Sequence, residues 1–273
     1  MERLALTVAY DGRPYNGWQT QPDGKAVQDF VQQALARIAG EPVRVVCAGR
    51  TDTGVHALAQ TVHFDPPVQR PASAWLRGTN SHLPDSIAVQ AVHAVRPNFH
   101  ARFDATERQY QYLLRVAPTP EPFWSGRAGW SFRPVEVARL RAAAQCLTGE
   151  HDFSAFRSSQ CQAASPVRTM KPVQITGSAE LICLTFTANA FLHHMIRNLV
   201  GALVMIGQSR RPVEWMAQLL AGRDRTVAAP PFAPDGLYFC GARYRPEDGL
   251  PSYRRVDGVA FRPGASDDDV QEQ

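Results

Sequence analysis

The stretch VRVVCAGRTDTGVHALAQTVHFD, residues 43–65, contains two segments of strand-like pattern on either side of a loop. Residues 43–48 are nearly all apolar and predict a buried strand. In residues 60–65 polar and apolar side chains alternate, which predicts a strand with one face in the core. The loop between them carries glycine near both ends. A loop held between two core strands is a rigid place from which to present side chains.

The segments around this stretch extend the pattern to β-α-β-β-α-β. Residues 4–10 predict a buried strand. Residues 26–38 predict an amphipathic helix, with apolar side chains at three- and four-residue spacing and Gly40 at its end. A short helix at 72–82 and a strand at 87–95 follow. This order is the split βαβ arrangement of ferredoxin-like folds.

The second part of the chain repeats this order of elements without repeating the sequence. The predicted elements are, in chain order, a strand at 108–116, a helix at 135–147, strands at 170–176 and 181–188, helices at 193–206 and 213–220, and a strand at 237–244. We therefore expect an α+β protein of two ferredoxin-like halves, residues 1–105 and 106–245, with adjoining antiparallel sheets. Residues 246–273 are acidic and lack periodicity, which predicts a disordered tail.

The basic residues are almost all arginine and lie mainly outside the acidic C-terminal end. Only Lys25 and Lys171 are lysine among 29 basic residues. Residues 247–273 carry seven acidic and three basic side chains, so the formal net charge of +4 hides a charge of +8 on the rest of the chain. Arginine matches phosphate geometry and stacks on bases, which favours a polyanionic partner. A genomic bias toward arginine is the alternative explanation.

Several chemistries lose support because their motifs are missing. The five cysteines contain no C-x-x-C pair, which argues against a zinc ribbon and a dithiol redox site. Phosphate-binding glycine motifs, the G-x-S-x-G motif and the H-E-x-x-H motif are also missing. Every apolar run is far shorter than the roughly 20 residues of a membrane span, and residues 1–10 lack the features of a signal peptide. We therefore expect a cytoplasmic protein with no membrane segment.

Asp52 is the first candidate for catalysis. It lies in the loop 49–57, where glycines permit backbone conformations that other residues resist. The loop thus holds an acid at a fixed position, and Arg50, two residues away, could form an ion pair with it. The alternative is an Asx-turn, in which the carboxylate bonds to its own backbone.

Four further residues are candidates for a functional role, and alternatives stay open for two of them, Arg197 and Tyr110. Arg197 lies at the edge of the apolar face of its predicted helix, either as a functional cation or as part of a solvated face. His193 and His194 are adjacent on the same predicted helix, where neighbouring side chains diverge by about 100°, so we expect no metal site. Tyr110 alternates with glutamines in its predicted strand and faces either the core or a nucleic-acid base.

Seven stretches, in order along the chain, resemble the bacterial tRNA pseudouridine synthase A family. They are residues 10–21, 48–57, 80–84, 100–103, 108–112, 191–201 and 237–239. The second of them surrounds Asp52 and is similar to the catalytic loop of that family. Thr53 stands where the family more often has alanine, which leaves the aspartate unchanged. The chain past Arg245 has no counterpart in the family.

The resemblance implies an isomerase that converts uridine to pseudouridine at positions 38, 39 and 40 in the anticodon stem-loop of tRNA. It also implies a homodimer, a two-part fold around a basic cleft, and neither a cofactor nor a metal. By the same resemblance Asp52 is the catalytic carboxylate, and Arg197 pairs with it. Tyr110 stacks on the base, and Arg50 contacts the RNA or helps to extrude the target nucleotide.

These residue types suit that reaction. An aspartate with an ordinary pKa of about 3.9 is ionised at neutral pH. Burial under an extruded base would raise the pKa of Asp52, and a cation such as Arg197 would hold it down. Extruding the nucleotide costs a few kcal/mol, and stacking on Tyr110 would offset part of that cost. The alternatives are a non-catalytic RNA-binding module, which leaves Asp52 unexplained, and a small-molecule acid–base enzyme, which has no need of so many basic residues.

Overall fold

In the computed structural model, which describes residues 2–256, the first half of the chain forms four strands and two helices. The elements are β1 (Arg3–Tyr10), α1 (Val27–Ala39), β2 (Val46–Cys47), β3 (His56–Phe64), α2 (Ala72–Asn80) and β4 (Ile87–Val95). The strands lie in the order β4–β1–β3–β2, and all three pairings are antiparallel. This is the split βαβ arrangement that the sequence predicts.

The second half of the chain has the same strand order. Its elements are β5 (Glu107–Val116), β6 (Gly129–Ser131), α3 (Val137–Ala144), β7 (Gly149–Asp152), β8 (Val167–Met170), β9 (Gln174–Gly177), β10 (Leu181–Ala188), α4 (Met195–Gly207), α5 (Trp215–Gly222) and β11 (Leu237–Arg243). β5 lies between β11 and β10, and β10 pairs with β9, all antiparallel. The short strands β6 and β7, which the sequence does not predict, add to β5 and β8.

β3 and β11 join the two halves into one continuous sheet. They run parallel, with His56 opposite Tyr238 and Ala57 opposite Phe239. The predicted strand 43–48 is reduced to the two residues of β2. β2 pairs with the C-terminal end of β3, at Val62 and His63. β11 pairs with the N-terminal end of β3 on the same edge. The predicted α+β class is confirmed, and the adjoining sheets of the two halves are continuous through this contact.

Several predicted elements have different limits in the structure. The strand predicted at 60–65 is β3, which begins earlier, at His56, within the predicted loop 49–57. Two other differences have a local cause. The predicted strand 170–176 is two strands, β8 and β9. Pro172 lies between them and has no N–H to donate to a strand ladder. The helix predicted to begin at His193 begins at Met195, because His194 adopts a left-handed backbone with φ 63°. Both differences arise from single residues that interrupt a regular pattern.

The main core lies between the sheet and the helices. In β5, successive side chains point to opposite faces of the sheet. Tyr110, Tyr112 and Leu114 enter the main core together with apolar side chains of the helices. Leu113 belongs to a smaller apolar cluster, and Gln111 is buried on that same face. The face that Tyr110 shares with the helices is therefore set by the alternation of β5.

Residues 246–256 pack against the structure, although the sequence assigns them to a disordered tail. The backbone N–H of Val256 donates a hydrogen bond of 2.7 Å to Gln111 Oε1 on the second face of the sheet. The buried carboxylate of Asp248 pairs with Arg96 Nε at 2.9 Å. Such partners, distant in the chain, order a segment that has no periodicity of its own. The rest of the predicted tail, residues 257–273, lies outside the described residues.

The described residues, 2–256, bear on membrane-spanning helices and on the cysteines. No helix in this range has the length and apolar character needed to cross a membrane. The five cysteines all lie in this range, and they form no disulfide bonds with one another.

Candidate active site

The loop between β2 and β3 is fixed at its base by hydrogen bonds. Gln60, which is buried in β3, donates to the carbonyl oxygen of Gly49 at 2.6 Å and accepts from its N–H at 3.4 Å. The backbone N–H of Ala48 donates to Thr61 at 2.9 Å, and that of Val55 donates to the carbonyl of Asp52 at 3.1 Å. The loop therefore presents Asp52 from a rigid strand pair, as the sequence predicts.

The segment that follows β1 packs directly on this loop. A Cβ on Gly12 would lie 2.1 Å from the carbonyl oxygen of Val55, and one on Gly17 would lie 2.6 Å from that of Thr51. The hydroxyls of Tyr10 and Thr51 are hydrogen-bonded at 2.8 Å. Glycine is needed at both positions because the two backbones touch, and the contact fixes the loop from its outer side.

The carboxylate of Asp52 faces three side chains from the second half of the chain. Its Oδ1 lies 3.3 Å from Nε2 of His193, and its Oδ2 lies 3.3 Å from Nε2 of His194. Nη1 of Arg197 donates to Oδ2 at 3.2 Å. The predicted ion pair between Asp52 and Arg197 is thus present. Arg50, the other cation considered for this pairing, is exposed, and the place beside the carboxylate is taken by Arg197 and the two histidines.

Arg197 is itself held in place. Its Nε donates to the carbonyl oxygen of Phe232 at 2.9 Å, and the N–H of Phe232 donates to the carbonyl of Arg197 at 2.9 Å. The side chain is only 15% exposed. A guanidinium with one donor fixed to a backbone carbonyl can offer another to Asp52 in a defined direction.

The two histidines are in a turn, and this changes the prediction made from a helix. His193 and His194 precede α4, and the left-handed backbone of His194 turns both rings to the same side. The ring centroids are 4.0 Å apart, with an angle of 34° between the rings. The expected divergence by about 100° therefore does not occur. A non-glycine residue with positive φ is strained and is often found at functional sites.

Within residues 2–256, these side chains are also grouped closely enough to hold a metal ion. One ligand atom from each of Asp52, His193 and His194 lies within 4.8 Å of the others. Because the two rings do not diverge, helix geometry gives no reason to exclude a metal here, and that part of the prediction is wrong. A divalent cation is disfavoured by charge, because the guanidinium of Arg197 contacts the same carboxylate and would repel a second cation there.

The charges around Asp52 keep it ionised. Burial alone would raise the pKa of Asp52, but the hydrogen bond from His193 and the charges of His194 and Arg197 outweigh burial, so the pKa lies below its ordinary value. The hydrogen bond to Asp52 raises the pKa of His193. Burial lowers the pKa of His194, in spite of the same carboxylate. The two histidines thus differ in basicity although they are neighbours.

Tyr110 lies beneath this group in an aromatic cluster. Its ring packs edge-to-face on Phe191, with centroids 5.2 Å apart, and tilted on Phe239 at 4.9 Å. The residue is 8% exposed. Burial first, and then the neighbouring Tyr10 and Asp52, raise the pKa of the Tyr110 phenol far above its ordinary value. The structure therefore places Tyr110 in the core, which is one of the two alternatives left open by the sequence. Contact with a nucleic-acid base stays a prediction.

The structure brings together Asp52, Arg197 and Tyr110 and adds two residues that the sequence analysis did not assign to the site. His193 and His194 were considered only as metal ligands. A signal was available, since both lie in the stretch 191–201 that also supplies Arg197.

Comparisons with known proteins agree with the resemblance seen in the sequence. A family model described as tRNA pseudouridine synthase matches residues 6–104 and 143–245. A tRNA pseudouridine synthase A from Bordetella petrii is 55% identical over 249 residues, which cover 90% of this chain and 93% of that protein. The tRNA pseudouridine synthase A of Polaromonas naphthalenivorans is 52% identical over 254 residues, which cover 92% of this chain and 96% of that protein.

Solved structures give a more distant likeness. The crystal structure of a Cbf5-Nop10-Gar1 complex aligns with a TM-score of 0.38 and 10% identity, covering 86% of this chain and 48% of that one.

Proposed function

This chain belongs to the tRNA pseudouridine synthase family, and on that premise we propose that it forms pseudouridine at positions 38, 39 and 40 of the anticodon stem-loop, with Asp52 as the catalytic carboxylate. Membership of the family makes the protein an isomerase that acts on uridine in tRNA. The observation that carries the role of Asp52 is its placement. A partly exposed carboxylate, on a loop fixed by the first half of the chain, is surrounded by His193, His194 and Arg197 of the second half.

The isomerisation breaks the N1–C1′ bond of uridine, turns the uracil ring and joins it to C1′ through C5. Both bonds lie within one nucleotide, so no external group carrier is required. The reaction does require an ionised carboxylate as nucleophile or base. The partners of Asp52 supply that condition, because they hold its pKa below the ordinary value in spite of burial.

The other two proposed roles concern the nucleotide. A uridine in a stem must leave the stack before it can reach Asp52, at a cost of a few kcal/mol. Tyr110 is proposed to contact the extruded base, an aromatic contact that would offset part of this cost. Arg50 is exposed in the same loop as Asp52, and its proposed role is to contact the RNA or to help extrude the nucleotide. A guanidinium suits either role because it pairs with phosphate and stacks on bases.

The proposal extends to the assembly and its location. The acting form is a homodimer that binds the anticodon stem-loop along a basic cleft, and it works in the cytoplasm. Because one chain has a mass of 30.1 kDa, light scattering should give roughly twice that mass for the dimer. A mass equal to that of the single chain would contradict the proposed dimer. It would leave the proposed role of Asp52 unaffected.

The central experiment replaces Asp52 by asparagine. The substrate is a tRNA transcript with tritium at C5 of its uridines, and tritium release reports pseudouridine formation. Asp52→Asn should lower the single-turnover rate by about 10³-fold or more, as expected when a catalytic acid–base or nucleophilic group is lost. Its affinity for tRNA should stay close to that of the wild type, because the side chain keeps its size.

Asp85→Asn is the matched control, since Asp85 is an exposed carboxylate in the same half of the chain. It should release tritium at the wild-type rate. If Asp52→Asn also releases tritium at that rate, Asp52 is not the catalytic carboxylate. Mapping of pseudouridine in the product then tests the positions, since modification outside 38–40 would contradict the proposed target.

A further inference from the structure

The turn at residues 100–104, which follows β4, presents an aromatic ring to solvent. Phe103 is 74% exposed, more than any other large apolar side chain within residues 2–256. A single exposed apolar residue is ordinary on a protein surface. Phe103 differs because its turn is held in place and a guanidinium lies beside the ring.

Hydrogen bonds fix this turn. The backbone N–H groups of Arg102 and Phe103 both donate to Nδ1 of His100, at 3.2 Å each. The carbonyl oxygen of Ala101 accepts from the hydroxyl of Tyr244 at 2.6 Å. An aromatic ring on a backbone held in this way loses little further freedom when a ligand binds, which favours affinity.

Phe103 is the outermost of three aromatic rings in contact. The ring of His100 lies against it, with centroids 4.2 Å apart and an angle of 28° between the rings. The buried ring of His63 lies 4.9 Å from that of His100. The guanidinium of Arg102 is 5.6 Å from the centroid of Phe103. An exposed aromatic ring beside a guanidinium is the combination that stacks on unpaired bases of RNA.

The turn lies beside the loop that carries Asp52. The guanidinium of Arg108 joins the two, because its Nη2 donates both to the carbonyl oxygen of Arg102 and to that of Ala48, just before the loop. Its Nη1 donates at 2.7 Å to the carbonyl of Asn189, in the segment between β10 and α4. The turn, the catalytic loop and the segment that leads to the partners of Asp52 therefore meet at one side chain.

The charges around this turn favour a polyanion. Burial raises the pKa of the Cys47 thiol, and the charges of Arg50 and Arg102 both oppose that rise, so both guanidinium groups lie near Cys47. The carboxylate of Asp104, in the same turn, is engaged by Arg96 at 2.7 Å. A positive charge therefore remains beside the exposed ring, which argues for RNA rather than for an apolar protein surface.

Resting on the proposed function, we propose that Phe103 stacks on an unpaired base of the anticodon loop, close to the uridine that reaches Asp52. Extrusion of the target uridine takes a stacking partner away from the bases beside it. Phe103 replaces that partner from the protein, and the charge of Arg102 attracts the adjoining phosphate. Tyr110 keeps its separate proposed role at the target base.

The test measures tRNA affinity by filter binding at low temperature, for the wild type and for Phe103→Ala. The tRNA has one target uridine, at position 38, and a single abasic nucleotide at each of the other loop positions in turn. Phe103→Ala should weaken the affinity for intact tRNA by about fivefold or more. At one loop position the abasic nucleotide should weaken binding to the wild type by a similar factor but leave the affinity of Phe103→Ala unchanged.

Phe132→Ala is the matched control. Phe132 is 59% exposed and also has a guanidinium over its ring, that of Arg133 at 5.3 Å, but it follows β6 in the second half of the chain. This variant should bind intact tRNA like the wild type. Phe103→Trp should keep the affinity, whereas Phe103→Leu should lose as much as Phe103→Ala, because leucine is apolar without an aromatic face.

Three results would overturn the inference. The first is a Phe103→Ala variant that binds intact tRNA like the wild type. The second is a loss of affinity that is the same whichever loop base is missing, and the third is a Phe103→Leu variant with the wild-type affinity. If Phe103→Ala fails to fold by circular dichroism, Phe103→Leu takes its place in the abasic series. Tritium release by the wild type and by Asp52→Asn judges the proposed function separately, because affinity does not require turnover.

Discussion

Replacement of Arg197 by methionine removes a charge from Asp52 while keeping an unbranched side chain. In the structure the guanidinium makes two hydrogen bonds, to Asp52 Oδ2 at 3.2 Å and to the carbonyl of Phe232 at 2.9 Å. Methionine makes neither. The carboxylate would then rely on His193 and His194 alone, and neither holds a fixed charge at neutral pH.

The size of the effect follows from the first of these bonds. A hydrogen bond to a charged group contributes roughly 1.5–3 kcal/mol. The distance of 3.2 Å between Arg197 and Asp52 is longer than the usual length of a charge-assisted bond, and both groups are partly exposed, so we take the low end, about 1.5–2 kcal/mol. That corresponds to a fall in the single-turnover rate of about 10- to 30-fold.

The assay is tritium release from C5-labelled tRNA at saturating enzyme, with tRNA affinity measured in parallel by filter binding. Arg197→Met should lose rate while its affinity for tRNA changes less than threefold. Arg197→Lys should recover part of the rate, because lysine restores a charge but cannot bond to Asp52 and Phe232 at once. If affinity falls as much as rate, Arg197 is an RNA contact, and if Arg197→Met reacts within twofold of the wild type, the pairing with Asp52 has no catalytic consequence.

Three further expectations concern the loop, the C-terminal segment and the RNA surface. Gly12→Ala should abolish tritium release because the new Cβ would meet the carbonyl oxygen of Val55 at 2.1 Å, whereas Gly222→Ala, which meets nothing within 4 Å, should be neutral. Asp248→Asn should lower the midpoint of thermal unfolding without changing the initial rate, because it weakens the pairing of the buried Asp248 with Arg96, and neither residue contacts Asp52. Affinity for tRNA should fall steeply with salt, and a flat profile in a titration would contradict contacts to several phosphates.

Local patterns predicted the regular elements well. The apolar spacing in α1 and the bounds of β4 are properties of short segments, and periodicity within a segment decides whether it is a helix or a strand. The same pattern failed where a single residue interrupts it, as at Pro172 between β8 and β9 or at the left-handed His194 before α4. It also failed for β2, whose length depends on how β11 shares an edge of β3.

Some residues of the candidate site could also be predicted from the sequence, and others could not. Asp52 could be singled out because a glycine-bracketed loop between two strands is visible in the sequence, and the family resemblance assigned it a role. Arg197 could be singled out at the edge of an apolar helix face, but only the resemblance paired it with Asp52. The grouping of His193 and His194 around Asp52 could not be foreseen, because the prediction placed them on a helix where they would diverge.

By itself the sequence determined the order of the elements, the loop that carries Asp52 and the family to which the chain belongs. The tertiary structure decided what surrounds that carboxylate. Arg197 reaches Asp52 across 145 residues of chain, and the ordering of residues 246–256 depends on partners as distant as Arg96. The physical reason is that periodicity reports which face of one segment is apolar, whereas contacts between segments are fixed only when the strands of both halves join in one sheet.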